Sequence, residues 1–183
     1  MPLPERQTDR LHRGRISVPG ARYFLTLCTQ DRTPVLTSSP ASDLTFAALH
    51  TLHGTDAELL AATLMPDHVH VLFTLGERLT LGQVMGKFKT LARDQGRAAW
   101  RFQADGFEHR LRPKESAEDY GFYIFMNPYR ANLRPLSQAW PWWVCPEPTR
   151  FRFFQHLTPG GTPPPEWLVE AETVAARIFT GEP

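Results

Sequence analysis

The chain has 183 residues, with 20 Lys and Arg against 19 Asp and Glu, for a formal net charge of +1. Its length fits one domain with a short appendage, and 42% hydrophobic with 21% charged residues excludes wholesale disorder. No apolar run approaches the roughly 20 residues that span a bilayer, and two cysteines, Cys28 and Cys145, make neither a disulfide scaffold nor a metal-site spacing.

The N-terminal residues carry charge without the apolar stretch of a secretory leader, so the expected compartment is the cytoplasm, with no membrane partner. The neutral total hides a gradient. Arg6, Arg10, Arg13, Arg15 and Arg22 face only Glu5 and Asp9 near the start. A second basic stretch runs from Lys87 to Lys114, and the tail reverses sign with Glu166, Glu170, Glu172 and Glu182. Two basic stretches in a neutral protein suggest a polyanion-binding surface; solvated faces are the plain alternative.

In chain order, residues 22–29 are β-branched and aromatic-rich and read as a strand. Ser42 with Asp43 is expected to cap a helix over about 43–53, stopped by Gly54. Residues 57–65 read as a strand ended by Pro66, and 68–75 as a second strand of the same hairpin. Thr80 with Gln83 forms a capping-box pattern, and Leu81, Val84, Met85, Phe88, Leu91 and Ala92 follow helical spacing. Lys89, Arg93 and Arg97 recur at i, i+4, i+8 on another face of that helix. A short strand is expected at 107–112, then a helix capped by Ser116 and Asp119 that runs to about Met126 or slightly beyond, with Pro128 as its end or a kink. The remainder is Pro-rich and irregular until an amphipathic stretch at 166–179. The order β-α-β-β-α-β predicts an α+β, ferredoxin-like (split βαβ) antiparallel sheet with helices on one face and an added C-terminal helix. The division expected is a basic arm over 1–14, a domain over 15–145, and an irregular tail with a short helix over 146–183.

His68 and His70 stand at i, i+2 on a strand, so both imidazoles leave the same face and Val69 leaves the other. Two adjacent imidazoles are half of a metal site; two separately satisfied histidines is the alternative reading. Tyr123 and Asn127 share a face of the last predicted helix at i, i+4. Alone, the first reads as packing and the second as a cap or a turn before Pro128.

Taken together these residues resemble the Y1 transposase family of HUH endonucleases, and more narrowly the REP-associated tyrosine transposases related to IS200-type enzymes. The likeness is carried by Tyr23-Phe24-x-Thr26, Leu64-Met-Pro-Asp-His-Val-His70, Met85-Gly-Lys-Phe-Lys89, Phe107-Glu-His-Arg-Leu-Arg112, Tyr123-Ile-x-x-Asn127-Pro-x-Arg-Ala131 and Trp140-Pro-Trp142, over roughly residues 15–145. Tyr129 departs from the family's more usual Val, and Phe107 lacks the Trp that commonly follows it. The resemblance implies that His68, His70 and Asn127 ligate a divalent metal and that Tyr123 is the nucleophile. Tyr120, three residues earlier, is the competing hydroxyl.

Such a site with nitrogen and amide-oxygen donors takes Mg²⁺ weakly and Mn²⁺ more readily, and the ion acts as a Lewis acid on a phosphodiester. Tyr attack leaves a 5′-phosphotyrosine and a free 3′-OH, which allows strand transfer. The implied substrate is single-stranded or hairpin DNA with REP-like palindromes. Arg13 and Arg15 of the arm, Lys87, Lys89 and Arg93, and His109, Arg110 and Arg112 are the candidate DNA contacts. Arg110 and Arg112 are expected on one face of the strand 107–112, with His109 and Leu111 on the other. The REP-associated branch implies a monomer, the IS200 branch a dimer that exchanges helices. A non-catalytic nucleic-acid-binding module and a hydrolytic metallophosphoesterase are the rival readings. The first is disfavoured because 107–112 lacks an aromatic stacking pattern, the second because too few carboxylates accompany His68 and His70.

Overall fold

The computed structural model describes residues 17–93 and 100–180. Nine elements follow in chain order: β1 (Arg22–Cys28), α1 (Ala41–Leu52), β2 (Ala57–Met65), β3 (His68–Leu75), α2 (Leu81–Leu91), β4 (Phe107–Arg110), α3 (Ala117–Arg130), β5 (Trp143–Val144) and α4 (Trp167–Thr180). Every strand pair is antiparallel, in the order β4-β1-β3-β2-β5. The first four strands give the ferredoxin-like arrangement, so the fold class is α+β as expected. No helix among the described residues is long and apolar enough to cross a membrane.

Strand alternation divides the molecule into two cores. Tyr23, Leu25, Leu27, Val69, Val71 and Phe73 face α1 and α2, where Ala48, Leu49, Val84, Met85 and Phe88 close the first core. Phe24 and Leu72 face the opposite way, toward Tyr120, Tyr123 and Ile124 of α3. That second core is completed by Phe151, Phe153, Trp167, Ala171 and Val174. Residues beyond 145 are therefore built into the molecule as the outer layer on α3. The close approach is made at Gly121, where a Cβ would stand 2.3 Å from the Phe151 ring. A glycine costs helix stability of about 1 kcal/mol against alanine, and here it admits that ring.

Several expectations need correction. The first helix begins at Ala41 with Pro40 at the N-cap and no side-chain cap bond, and Ser42 is buried within its first turn. Ser116 does stand at the N-cap of α3 but makes no capping bond. Asp119 instead binds Arg177 at 2.6 Å, and Glu118 accepts the Arg152 and Phe153 amides at 3.1 and 3.0 Å. Both carboxylates are thus used to dock the C-terminal segment. Pro128 lies inside α3 rather than ending it. The helix ends four residues after Met126, where Asn132 takes a left-handed φ of 54°. The Pro-rich stretch after Trp140, expected to be irregular, contributes β5, with Thr63 paired to Trp143 and Ala62 to Val144. Trp140 is buried, its indole donating to the Leu64 carbonyl at 3.1 Å. The last strand of the split unit stops at Arg110 because Glu115 turns the chain back: its carboxylate accepts the Arg112 amide and its own amide donates to the Arg112 carbonyl. The capping box of Thr80 and Gln83 is present.

Candidate active site

β3 places His68 and His70 on the face that meets α3, and their Nε2 atoms converge to 3.1 Å. Each imidazole is fixed from its other nitrogen. His68 Nδ1 lies 2.6 Å from the Asp67 carboxylate, which is itself held by Arg32 Nε at 2.8 Å. His70 Nδ1 lies 2.8 Å from Thr26 Oγ1 on β1, its register partner. With Nδ1–H of His68 donated to Asp67, the Nε2 lone pair of His68 points at the meeting point. A Thr hydroxyl accepts as readily as it donates, so Thr26 supports the same tautomer of His70. Burial holds the His68 pKa below its ordinary value against the opposing pull of Asp67. Burial, reinforced by nearby positive charge, holds that of His70 well below. Neutral imidazoles are the form that ligates a cation.

α3 brings Tyr123 across this pair. Its ring meets His70 edge-on at 5.7 Å between centroids, and Phe24 at 5.9 Å. Phe179 of α4 covers another side at 5.4 Å. The Arg130 guanidinium carbon stands 5.4 Å from the Tyr123 ring centre, while Arg130 Nε and Nη2 bind both oxygens of Glu172 at 2.9 and 3.0 Å. Asn127, one turn from Tyr123, is buried, and its amide nitrogen has no hydrogen-bond partner among the described residues. A terminal carboxamide can present either atom, so this orphaned group is an available donor oxygen. Two ligands at right angles on an octahedral ion with bonds of about 2.1 Å stand about 3 Å apart, which the imidazole spacing matches. Among the described residues no group of three His, Cys, Asp or Glu could hold a metal ion. Asn127, buried with its amide unpartnered one turn from Tyr123, is the amide candidate for a third ligand.

Tyr120 is placed quite differently. It is buried, stacks on His109 at 5.8 Å, and its hydroxyl lies 3.4 Å from Glu115. Burial and that carboxylate push its pKa far above the usual tyrosine value, which disfavours it as a nucleophile.

The candidate DNA contacts do not gather around the histidines. Lys87 is paired with the buried carboxylate of Asp56, so it serves the α1–α2 side of the fold. Lys89 donates to the carbonyls of Gln103 and Ala104, both at 2.8 Å, and so ties down the loop before β4. Arg93 is exposed and lines a shallow groove with Lys89, Arg101 and Phe102. His109 pairs with Glu115 at 2.9 Å. Arg110 is exposed and pairs in register with Tyr23, on the sheet face turned away from His70. Arg112 is exposed beyond the strand end, so the expected alternation with Arg110 does not extend to it. Arg13, Arg15 and Arg97 lie outside the described residues.

Among the residues at the site without a role in the sequence reading are Thr26, Asp67, Arg130 and Glu172. The first three sit inside the blocks quoted above, so a signal was present; Glu172 carries none.

Residues 17–99 match the family model described as IS200-like transposase. Over this segment the chain is similar to the IS200-like transposases. The segment contains His68 and His70, while Tyr123 and Asn127 lie beyond it. A similar protein from Haemophilus influenzae, provisionally named a REP-associated tyrosine transposase, is 23% identical over 138 residues, covering 67% of this chain and 78% of its own. The solved structure of a REP-associated tyrosine transposase bound to a REP hairpin superposes with a TM-score of 0.61 at 20% identity, over 82% of this chain and 86% of that one. That likeness is one of fold, and at 82% of the chain it extends past the family segment.

Proposed function

We propose that the protein is a REP-associated tyrosine transposase, a divalent-cation-dependent endonuclease and strand transferase for single-stranded or hairpin DNA. One observation carries the reading: His68 and His70 aim their Nε2 atoms at one point, 3.1 Å apart, and Tyr123 of the same chain stands against His70. The REP hairpin bound by the structural relative supports a hairpin substrate here. Because these side chains meet within one chain, we infer a monomer with its active site in cis.

In this reading His68, His70 and the Asn127 carboxamide hold Mg²⁺ or Mn²⁺. The ion, when bound, supplies Lewis acidity to an oxygen of the scissile phosphate. Asp67 and Thr26 orient the imidazoles, and burial keeps them neutral. Tyr123 Oη attacks phosphorus in line: the Oη–P bond forms, the P–O3′ bond breaks, the phenol proton passes to solvent and the 3′ oxygen takes one up. The products are a 5′-phosphotyrosine and a free 3′-OH. Reversal with another 3′-OH joins strands without an external energy source. Phe24 and Phe179 pack on the ring of the tyrosine, which is 7% exposed, and hold it in place against His70.

The test is a denaturing gel. A 3′-labelled single-stranded oligonucleotide carrying an imperfect palindrome from beside the protein's own gene is incubated with the full chain and Mn²⁺. A labelled protein–DNA band is expected, lost with EDTA and lost in Tyr123→Phe. A band that survives Tyr123→Phe moves the nucleophile elsewhere, and Tyr120 would be examined next.

A further inference from the structure

Tyr123, Asn127 and Arg130 stand at i, i+4 and i+7 along α3, a spacing that keeps all three on one stripe of the helix. The first two have roles in the proposed chemistry. Arg130 has none, yet it is the best-held cation near the site. Its side chain is only 18% exposed, its Nε and Nη2 are both bound by Glu172 of α4, and its guanidinium lies against the Tyr123 ring. Its contact with the ring sets its charge within electrostatic reach of the Tyr123 hydroxyl. Glu172 engages the Nε and Nη2 edge, which leaves Nη1 on the side not taken by the carboxylate. A guanidinium fixed in this way has already paid its ordering entropy before substrate arrives.

The geometry points to Arg130 as a further catalytic residue of strand cleavage, with Glu172 of the C-terminal helix as its positioning residue. The inference rests on the reading of Tyr123 as nucleophile. As the Oη–P bond forms and the P–O3′ bond breaks, negative charge passes from the phenol oxygen to the phosphoryl oxygens. A fixed guanidinium against the tyrosine ring, with Nη1 free of the carboxylate, can meet that charge as it moves onto the phosphate. Arg130 stays protonated, since its pairing with Glu172 raises its pKa further, so it acts as a donor and not as a base. The phenol proton goes to solvent, and the leaving 3′ oxygen is protonated from solvent. The acidic C-terminal segment thereby acquires a role in the chemistry: it supplies the carboxylate that aims the arginine.

The experiment uses the full chain and the 3′-labelled palindromic oligonucleotide with Mn²⁺, under single-turnover conditions. Arg130→Ala should slow adduct formation roughly 100-fold and leave oligonucleotide affinity, measured by anisotropy, within about twofold. Added guanidinium chloride at tens of millimolar should restore part of the rate to Arg130→Ala and none to Tyr123→Phe. Glu172→Gln should slow the reaction by a smaller factor in the wild-type background and by nothing further in Arg130→Ala, because it acts through that residue. An unchanged rate in Arg130→Ala overturns the inference. So does a slowed rate that guanidinium does not rescue, which would mark Arg130 as a helix-docking residue only. An adduct in Tyr123→Phe sinks the nucleophile assignment itself, a failure distinct from both.

Discussion

On one face of the sheet Leu25, Val71 and Phe73 meet α1 and α2 through apolar side chains, and the ionic pair nearby, Asp56 with Lys87, lies at the edge of that layer. On the other face Thr26, His68 and His70 stand among aromatic rings, under a helix that carries Tyr123, Asn127 and Arg130. The same strands supply both, one residue out of step. The first face resembles any small α+β core. The second holds partly satisfied polar groups in a buried setting, which costs stability and is tolerated at sites that do chemistry. Stability and function are thus separated by strand alternation, and substitutions should sort by face.

The sharpest break of that comparison is His68→Ala combined with His70→Ala. Cleavage should be abolished at any Mn²⁺ concentration while a cooperative unfolding transition remains, read by adduct gel and thermal melt. A double variant that fails to fold would mean that the active face carries the stability as well. On the opposite face Phe88→Ala should cost about 3–5 kcal/mol of stability, seen in denaturant melts, while its folded fraction cleaves at the normal rate. Gly121→Ala tests the outer layer. The new methyl would collide with Phe151, so a loss of about 1–3 kcal/mol is expected. Faster proteolysis within 146–180 should accompany it, together with slower cleavage because Glu172 and Phe179 ride on that segment.

Asp67→Asn sharpens the account of the active face more gently. It replaces the charged acceptor that orients His68 with a neutral amide, and the Mn²⁺ requirement should rise roughly 10–100-fold in a titration of cleavage against metal. The smallest effect concerns Cys145, whose thiol burial pushes up to about 11. At pH 8 about one thiol in a thousand is then ionised. Alkylation by iodoacetamide, followed by mass spectrometry, should be slow at pH 8 and rise about tenfold per pH unit until near 11. Fast labelling at pH 8 would show that the chain after β5 does not pack on the sheet.

Much of this architecture is legible in one dimension because it is local. Period-2 alternation located β1 and β3 and placed His68 and His70 on one face, while the shortness of β2 and the Pro66 that follows it marked that strand. The Thr80 capping box located α2, and helical spacing put Tyr123 beside Asn127. The resemblance to tyrosine transposases added the order of the blocks. What stayed hidden depends on partners distant in sequence. Ser42 reads as a cap, yet the turn at Pro40 starts the helix before it. Lys87 and Lys89 read as a DNA-facing charge run, yet Asp56 and the carbonyls of Gln103 and Ala104 claim them. Tyr120 and Tyr123 look equivalent by type, and only their neighbours, Glu115 for one and His70 for the other, separate them.

By itself, then, the sequence determined the split βαβ order, the same-face histidines and the tyrosine–asparagine stripe, because each follows from the fixed periods of strand and helix. The tertiary structure alone decided that α3 lies on the histidine face, that β5 extends the sheet, and that the C-terminal helix reaches back to hold Arg130 through Glu172. Those outcomes turn on which apolar faces bury one another and on charge pairs 42 and 58 residues apart along the chain. No local period encodes either.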